Sequence, residues 1–324
     1  MKHVFVIHSH TVFLSACGAI EILHLKENEV IFLYARNYQI SCVNIPYVIY
    51  NVDDLYCYQK SKIFYTVNPF CRMKHQRMVD EFIENNINED YFLYIPHTGF
   101  PFFQILLTNS KCKGLNLLQE AAVSYFKKKY KLKTLLKNLL SVGDRRYWHQ
   151  SNWFIPNRFY REKECVRTFA FTERYFSPLV KALAFQVKMP KFSIDINIDS
   201  QKPIFVFEAA IELNFIEREI FMQGCALMID ECKAEINYVK FHPNQKEENK
   251  KDILSFFGTS KVNELPMDIP FEIILSTYSD LNVYGFTTSL IYYAEQMGHN
   301  TKSYADYLTS KSKRFANYVN RMSK

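Results

Sequence analysis

The chain has 324 residues, 48% of them apolar and 16% aromatic, including 22 Tyr and 28 Phe. That composition excludes a disordered chain and supplies material for two hydrophobic cores, while only 8 Gly argues against an architecture of many tight hairpins. The formal charge is +7, and Lys127, Lys128, Lys129, Lys131, Lys133 and Lys137 nearly account for it with no acid among them; no nucleic-acid-binding motif accompanies them, so no nucleic-acid partner is expected.

Lys2 to Ile7 reads as a buried strand, followed by a polar loop and an apolar-periodic helix from about Val12 to Leu23. Val30 to Tyr34 is a second strand and Tyr47 to Tyr50 a third. A helix near Lys74 to Asn85, a strand at Tyr91 to Ile95, a helix near Phe102 to Leu107 and a strand at Gly114 to Leu118 continue the alternation. Tyr125 to Leu140 reads as a helix with a broad apolar side interleaved with lysine, the pattern either of an interfacial helix or of a solvated face packed on its own core. After the polar stretch Pro190 to Pro203 the alternation resumes. Ile204 to Phe207 is a strand, Phe215 to Cys232 a helix and Ile236 to Phe241 a strand; Pro270 opens a helix to about Tyr278, Val283 to Phe286 is a strand, and Thr287 to Gln296 a helix ending near Gly298. Ser303 to Met322 closes the chain as one or two helices. Repeated βα alternation specifies an α/β class with mostly parallel sheets and helices on both faces. Two such halves, 1–195 with a basic aromatic insertion near 125–165, and 196–324, describe a pair of Rossmann-like domains facing each other across a central cleft.

The eight cysteines are scattered, without a CxxC pair, which points to a reducing compartment rather than a zinc site or disulfide framework. The first apolar run is too short for a signal peptide, and no run of about 18 apolar residues exists to span a bilayer. A cytoplasmic protein is expected, with Lys127 to Lys137 available to an anionic membrane face.

Four places carry candidate chemistry. His242 follows a strand directly and is succeeded by Pro243, so it is held at the carboxyl edge of a sheet, where ligands of open α/β sheets bind. Glu120, in Gln119-Glu120-Ala121, also follows a strand; a carboxylate there serves as a general base when burial raises its pKa, or simply complements a helix dipole. Thr287, Thr288 and Ser289 open a helix and are suited to a phosphate or to capping. Glu272 lies in a first helical turn, suited to the hydroxyls of a ribose or to the dipole. His97, beside Thr98 and Gly99 after a strand, is the most interesting of the remaining histidines. Arg145-Arg146-Tyr147-Trp148-His149 with Trp153 forms an aromatic and basic stretch whose rings suit sugar faces. No GxGxxG, Walker or Asp-x-Asp metal motif is present.

In this order, Gln119-Glu120-Ala121, Tyr238-Val239-Lys240-Phe241-His242-Pro243, Pro270-Phe271-Glu272 and Thr288-Ser289 resemble the motifs of the bacterial sialyltransferases that decorate lipopolysaccharide and capsule. The resemblance departs at Gln119, where that group has an acid, and at Ala121, where it has glycine. It implies the GT-B fold and inverting transfer of sialic acid from CMP-sialic acid to a hydroxyl of a galactose-containing, lipid-linked surface glycan, with an α2,3 linkage favoured; the alternatives are a GT-B glycosyltransferase using another nucleotide sugar and a noncatalytic peripheral membrane or glycan-binding protein. It further implies Glu120 as base and His242 stabilising the departing phosphate. Pro243, Glu272, Thr287, Thr288 and Ser289 would lie at the CMP donor, and His97, Tyr147, Trp148 and Trp153 on the acceptor side. No metal and no further cofactor is implied.

Overall fold

The computed structural model describes residues 1–58, 65, 68–120, 146, 165–171, 175, 183–188, 190–287 and 289–322. The chain divides into two units, Met1–Gln39 with Ile45–Pro190, and Lys191–Lys324 with the short segment Ile40–Asn44.

The N-terminal unit contains β1 (Lys2–Ile7), α1 (His10–Leu23), β2 (Val30–Tyr34), β3 (Val48–Asn51), α2 (Asp53–Cys57), α3 (Pro69–Asn86), β4 (Tyr91–Ile95), α4 (Pro101–Thr108), β5 (Cys112–Leu118), β6 (Cys165–Ala170) and β7 (Leu183–Gln186). Its seven strands lie in the order β3-β2-β1-β4-β5-β6-β7, every pair parallel. The central strands read as continuous apolar runs because both faces are covered: Val4 to Ile7 and Val30 to Tyr34 are buried throughout. Helix starts are built from side-chain oxygens and fixed φ. Ser9 Oγ accepts the Val12 N–H at 3.4 Å to open α1, and Asn68 Oδ1 accepts from Phe70 and Cys71 at 3.0 and 3.3 Å, with Pro69 opening α3. The chain reverses after α1 at His24, which adopts a left-handed φ of 50°.

The C-terminal unit contains β8 (Pro203–Phe207), α5 (Arg218–Cys232), β9 (Ile236–Phe241), α6 (Glu247–Ser255), β10 (Lys261–Glu264), α7 (Phe271–Thr277), β11 (Asn282–Gly285), α8 (Ser289–Gln296), β12 (Asn300–Ser303), α9 (Ala305–Lys311) and α10 (Lys313–Met322). Its five parallel strands run β10-β9-β8-β11-β12. Leu308 of α9 and Phe315 of α10 belong to its core, and Tyr318 stacks on Phe215 at 4.1 Å between centroids.

Both sheets reverse strand order beside their first strand, between β1 and β4 and between β8 and β11. Such a switch point opens a crevice at the carboxyl ends of the strands, because adjacent connections leave toward opposite faces. Each unit braces that position with a cross-strand aromatic pair: Phe5 on Tyr94 at 4.0 Å, and Phe205 on Tyr284 at 5.6 Å.

Several elements differ from the sequence expectation. α8 begins at Ser289 rather than Thr287, and Pro270 is the N-cap of α7 rather than its first residue, so Glu272 is the second helical position. Strands β6, β7, β10 and β12 and helices α2 and α6 are additional. Residues 261–264 (Lys-Val-Asn-Glu) and 300–303 (Asn-Thr-Lys-Ser) are polar because they form sheet edges, where an apolar strand would invite pairing with other chains.

Candidate functional site

In the N-terminal unit four loops at the carboxyl edge converge on Glu120. His8 follows β1, Arg36 follows β2, His97 follows β4 and Glu120 follows β5. Glu120 Oε1 lies 3.6 Å from His8 Nε2, and Oε2 lies 3.6 Å from His97 Nε2. Both histidine side chains are fully buried and Glu120 retains 16% exposure, which leaves the carboxylate as the accessible member of the group. Burial pushes the Glu120 carboxyl up to about 6, opposed by the Arg36 guanidinium. Burial, reinforced by Arg36, lowers His8 to about 4, and holds His97 well below the ordinary imidazole range. At neutral pH the cluster is therefore an ionised carboxylate between two neutral rings, with the pKa of a general base poised near physiological pH. His8 Nε2, Glu120 Oε2 and the Tyr56 hydroxyl are buried without a hydrogen-bond partner among the described residues. Buried polar atoms in that state mark a place where a bound hydroxyl or water completes the network.

Gln119 does not take the part of a second acid. Its Oε1 accepts the Phe171 N–H at 2.8 Å, while its own N–H donates to the Phe169 carbonyl at 3.0 Å and to Ser15 Oγ at 3.2 Å. It stitches the end of β5 to the end of β6 and to α1. The Glu120 N–H donates to the Tyr175 hydroxyl at 3.3 Å, which fixes the backbone that carries the carboxylate.

In the C-terminal unit His242 is exposed at the end of β9 and Pro243 is the second residue of a turn closed by the Gln245 N–H on the His242 carbonyl at 2.9 Å. That turn aims the Asn244 N–H at His242 Nδ1, 3.1 Å away. A backbone N–H only donates, so Nδ1 accepts and the neutral ring carries its proton on Nε2, ready to donate to an anion. Partial burial lowers the His242 pKa, opposed by Glu212. Glu272 sits in the first turn of α7; burial raises its pKa against its own backbone N–H and against Lys240. Lys240, also on β9, donates its ammonium to the carbonyls of Pro266 and of Ile269, the latter at 2.8 Å, and thereby holds the loop that leads into α7.

Thr287 is placed by an acid that sequence reading missed. Glu208 follows β8 directly, and the Thr287 hydroxyl donates to its two oxygens at 3.3 and 3.4 Å. Burial pushes Glu208 up to about 7 in spite of the Thr287 hydroxyl and N–H. His8 and Arg36 were also missed. The available signal for His8 and Glu208 was the same in both units: a polar residue at the first position after the unit's first strand, whose last residues are an apolar run. Thr288, Tyr147, Trp148, Trp153 and Lys127 to Lys137 lie outside the described residues, as does the side chain of Ser289.

His97 and Glu120 are thus brought together at one switch point, with His8. His242, Pro243, Glu272 and Thr287 occupy the carboxyl-edge loops and the first turn of α7 in the other unit. His8, His97 and Glu120 are also the described residues of metal-ligating type whose ligand atoms lie within 4.8 Å of one another. All eight cysteines are free thiols. No helix among the described residues is long and apolar enough to cross a membrane.

No protein-family model matches the sequence, and no curated protein matches it. Among solved structures, the chain is similar to the spinosyn rhamnosyltransferase SpnG complexed with thymidine diphosphate, at a TM-score of 0.52 and 10% identity over 98% of this chain and 85% of that one. It is also similar to S. aureus MnaA with UDP, at 0.46 and 12% identity over 93% and 78% of the two chains. The first likeness is one of fold, and the fold is GT-B.

Proposed function

We propose that the chain is a glycosyltransferase that moves a sugar from a nucleotide donor to a hydroxyl, with inversion. The observation that carries the proposal is Glu120: a carboxylate at a switch point, raised to about 6 by burial and accessible between two buried neutral rings. An ionised Glu120 removes the proton from the attacking hydroxyl, and the attack displaces the nucleotide from the anomeric carbon on the opposite face. His242, donating from Nε2, stabilises the charge that develops on the departing phosphate. Glu272 accepts the ribose hydroxyls, and the helix start at Ser289 supplies backbone N–H groups to phosphate.

The donor we favour is CMP-sialic acid, on the strength of the His242-Pro243, Pro270-Phe271-Glu272 and Thr288-Ser289 resemblance, with a galactoside of a bacterial surface glycan as acceptor. The fold likeness to a rhamnosyltransferase whose structure holds thymidine diphosphate favours a second reading, in which the same groups serve a different nucleotide sugar. One experiment separates them. Purified protein is incubated with CMP-sialic acid, UDP-, ADP- and dTDP-sugars in turn and a panel of galactosides, and products are analysed for linkage. The expected result is sialyl transfer, reduced by roughly two to four orders of magnitude in Glu120→Gln and in His242→Ala. Transfer from another donor selects the second reading, and absence of transfer and of donor hydrolysis with every donor refutes both.

A further inference from the structure

Two rings flank one carboxylate in the N-terminal unit, and the nitrogen that carries each ring's proton decides what the cluster binds. A guanidinium has only donors to offer. Arg36 Nη1 lies 3.3 Å from His8 Nδ1, so Nδ1 accepts and the neutral ring's proton is on Nε2, the atom 3.6 Å from Glu120 Oε1. His97 reaches the same tautomer through the backbone. The Gly99 N–H donates to its Nδ1 at 3.1 Å, leaving the proton on Nε2, 3.6 Å from Oε2. A protonated Nε2 has no lone pair for a cation. The two rings therefore turn N–H groups rather than lone pairs toward the carboxylate, each 3.6 Å from one of its oxygens, an arrangement that suits an anion or a hydroxyl and not a metal.

Arg36 is held in place by a backbone conformation that few side chains adopt. Its φ is 62° and that of Asn37 is 55°, and the Asn37 N–H is tied to Asp53 Oδ1 at 2.8 Å. Neither residue is glycine, and strain of this kind persists where the surrounding structure over-determines it.

We propose that Arg36 and His8 are positioning residues for Glu120: Arg36 fixes His8 as the Nε2–H tautomer, and His8 orients the carboxylate so that its remaining lone pairs accept the proton of a substrate hydroxyl. That the hydroxyl belongs to a sugar rests on the glycosyltransferase reading; the tautomer does not. Among the described residues, the titratable and charged groups around Glu120 are His8 after β1, Arg36 after β2, Tyr56 of α2 and His97 after β4, with the Tyr175 hydroxyl on its N–H. Arg36 opposes the upward pull of burial on Glu120 and disfavours protonation of both rings. The competitor for the His8 proton is that residue's own backbone carbonyl, which favours a protonated ring. If the carbonyl prevailed, the proton would sit on Nδ1, and the Nε2 lone pair would face Glu120 as in a metal site.

Long-range 1H–15N correlation spectra of the full chain labelled with 15N-histidine read the tautomer without any need for turnover, with His8 assigned by His8→Gln. At pH 7 we expect a neutral His8 protonated on Nε2, a loss of that preference in Arg36→Met, and its retention in Arg36→Lys, which restores a cationic donor. In the transfer assay the acid limb of the pH–rate profile moves up by about one unit in Arg36→Met, the scale set by losing one nearby opposite charge. A wild-type His8 protonated on Nδ1, a spectrum unchanged in Arg36→Met, or His8 and His97 signals that shift together on addition of Zn2+ would each overturn the assignment. Inactivity of the wild type toward every donor overturns the glycosyltransferase reading, while the spectrum still decides the tautomer.

Discussion

His97 and His242 are oriented by one device used twice. Each ring accepts, at Nδ1, the N–H of the residue two positions on: Gly99 in one unit and Asn244 in the other, both at 3.1 Å. The ring is thereby fixed as a donor through Nε2 without a carboxylate behind it. His242-Pro243 was visible in the sequence because proline pre-forms the turn that presents Asn244. His8 had only its place directly after a strand to mark it, because its role depends on Arg36, 28 positions away and in a conformation that nothing in the local sequence announces. Glu120 has a consequence for stability as well as for chemistry. Its folded pKa of about 6 exceeds the ordinary value of 4.5, so the folded state holds a proton that the unfolded state releases, and stability falls as pH rises from 4.5 through 6. Glu120→Gln removes that cost. At pH 7.5 the variant is expected to be more stable by about 2 kcal/mol, the linkage value of this shift, with the difference vanishing near pH 4. Urea titrations at the two pH values check this, and an equal gain at both would show that the carboxyl is not desolvated in the native state.

At the scale of elements, α1 carries the N-terminal site by its packing as much as by its cap. Ser15 donates to the Phe169 carbonyl at 3.1 Å and accepts the Gln119 N–H, so the helix is tied to the strand ends that frame Glu120. Gly18 permits the approach. A Cβ there would lie 1.9 Å from Val187 Cγ1 and 3.1 Å from the Lys188 carbonyl. Alanine would ordinarily gain about 1 kcal/mol over glycine inside a helix, but overpacking costs about 1 to 3 kcal/mol. The contact with a buried valine makes the second effect win. Gly18→Ala is expected to lower the urea midpoint, and Gly18→Ala with Val187→Ala to recover part of the loss; stabilisation by the single substitution would mean that α1 does not seat against Val187. The apolar strands and the helices between them were legible because burial on both faces leaves continuous runs of Val, Ile, Leu and Phe. The edge strands β10 and β12 were not, since their residues are mostly polar and join the sheet through backbone ladder bonds rather than through a continuous apolar run.

At the scale of the whole molecule, two units repeat one plan: a parallel sheet reversing beside its first strand, an aromatic pair across the reversal, and polar residues at the loops just beyond. Titratable groups buried in the two units set the acid response. His8 and His75 are lowered to about 4 and His97 well below its usual range, all by burial, so the unfolded state binds protons that the folded state refuses as pH falls below 6.5. Glu120 and Glu208, raised to about 6 and 7, act in the opposite sense. Burial also lowers His3, His242 and His299 and raises Glu272, so six rings oppose three carboxyls, and the net effect is a loss of stability on acidification. A lower urea midpoint at pH 5 than at pH 7.5 is expected, and an equal or higher one would show that buried rings are protonated in the native protein.

By itself the sequence determined the α/β class, the two βα-repeating halves and the strand ends at which Glu120 and His242 stand, because apolar periodicity and turn residues are local properties of the chain. Only the tertiary structure decided which polar residues meet. Glu120 gains His8 and His97, and Thr287 is joined to Glu208, because neighbours in a parallel sheet come from strands separated by a whole helical connection. Strand order, which no local pattern encodes, selects those partners.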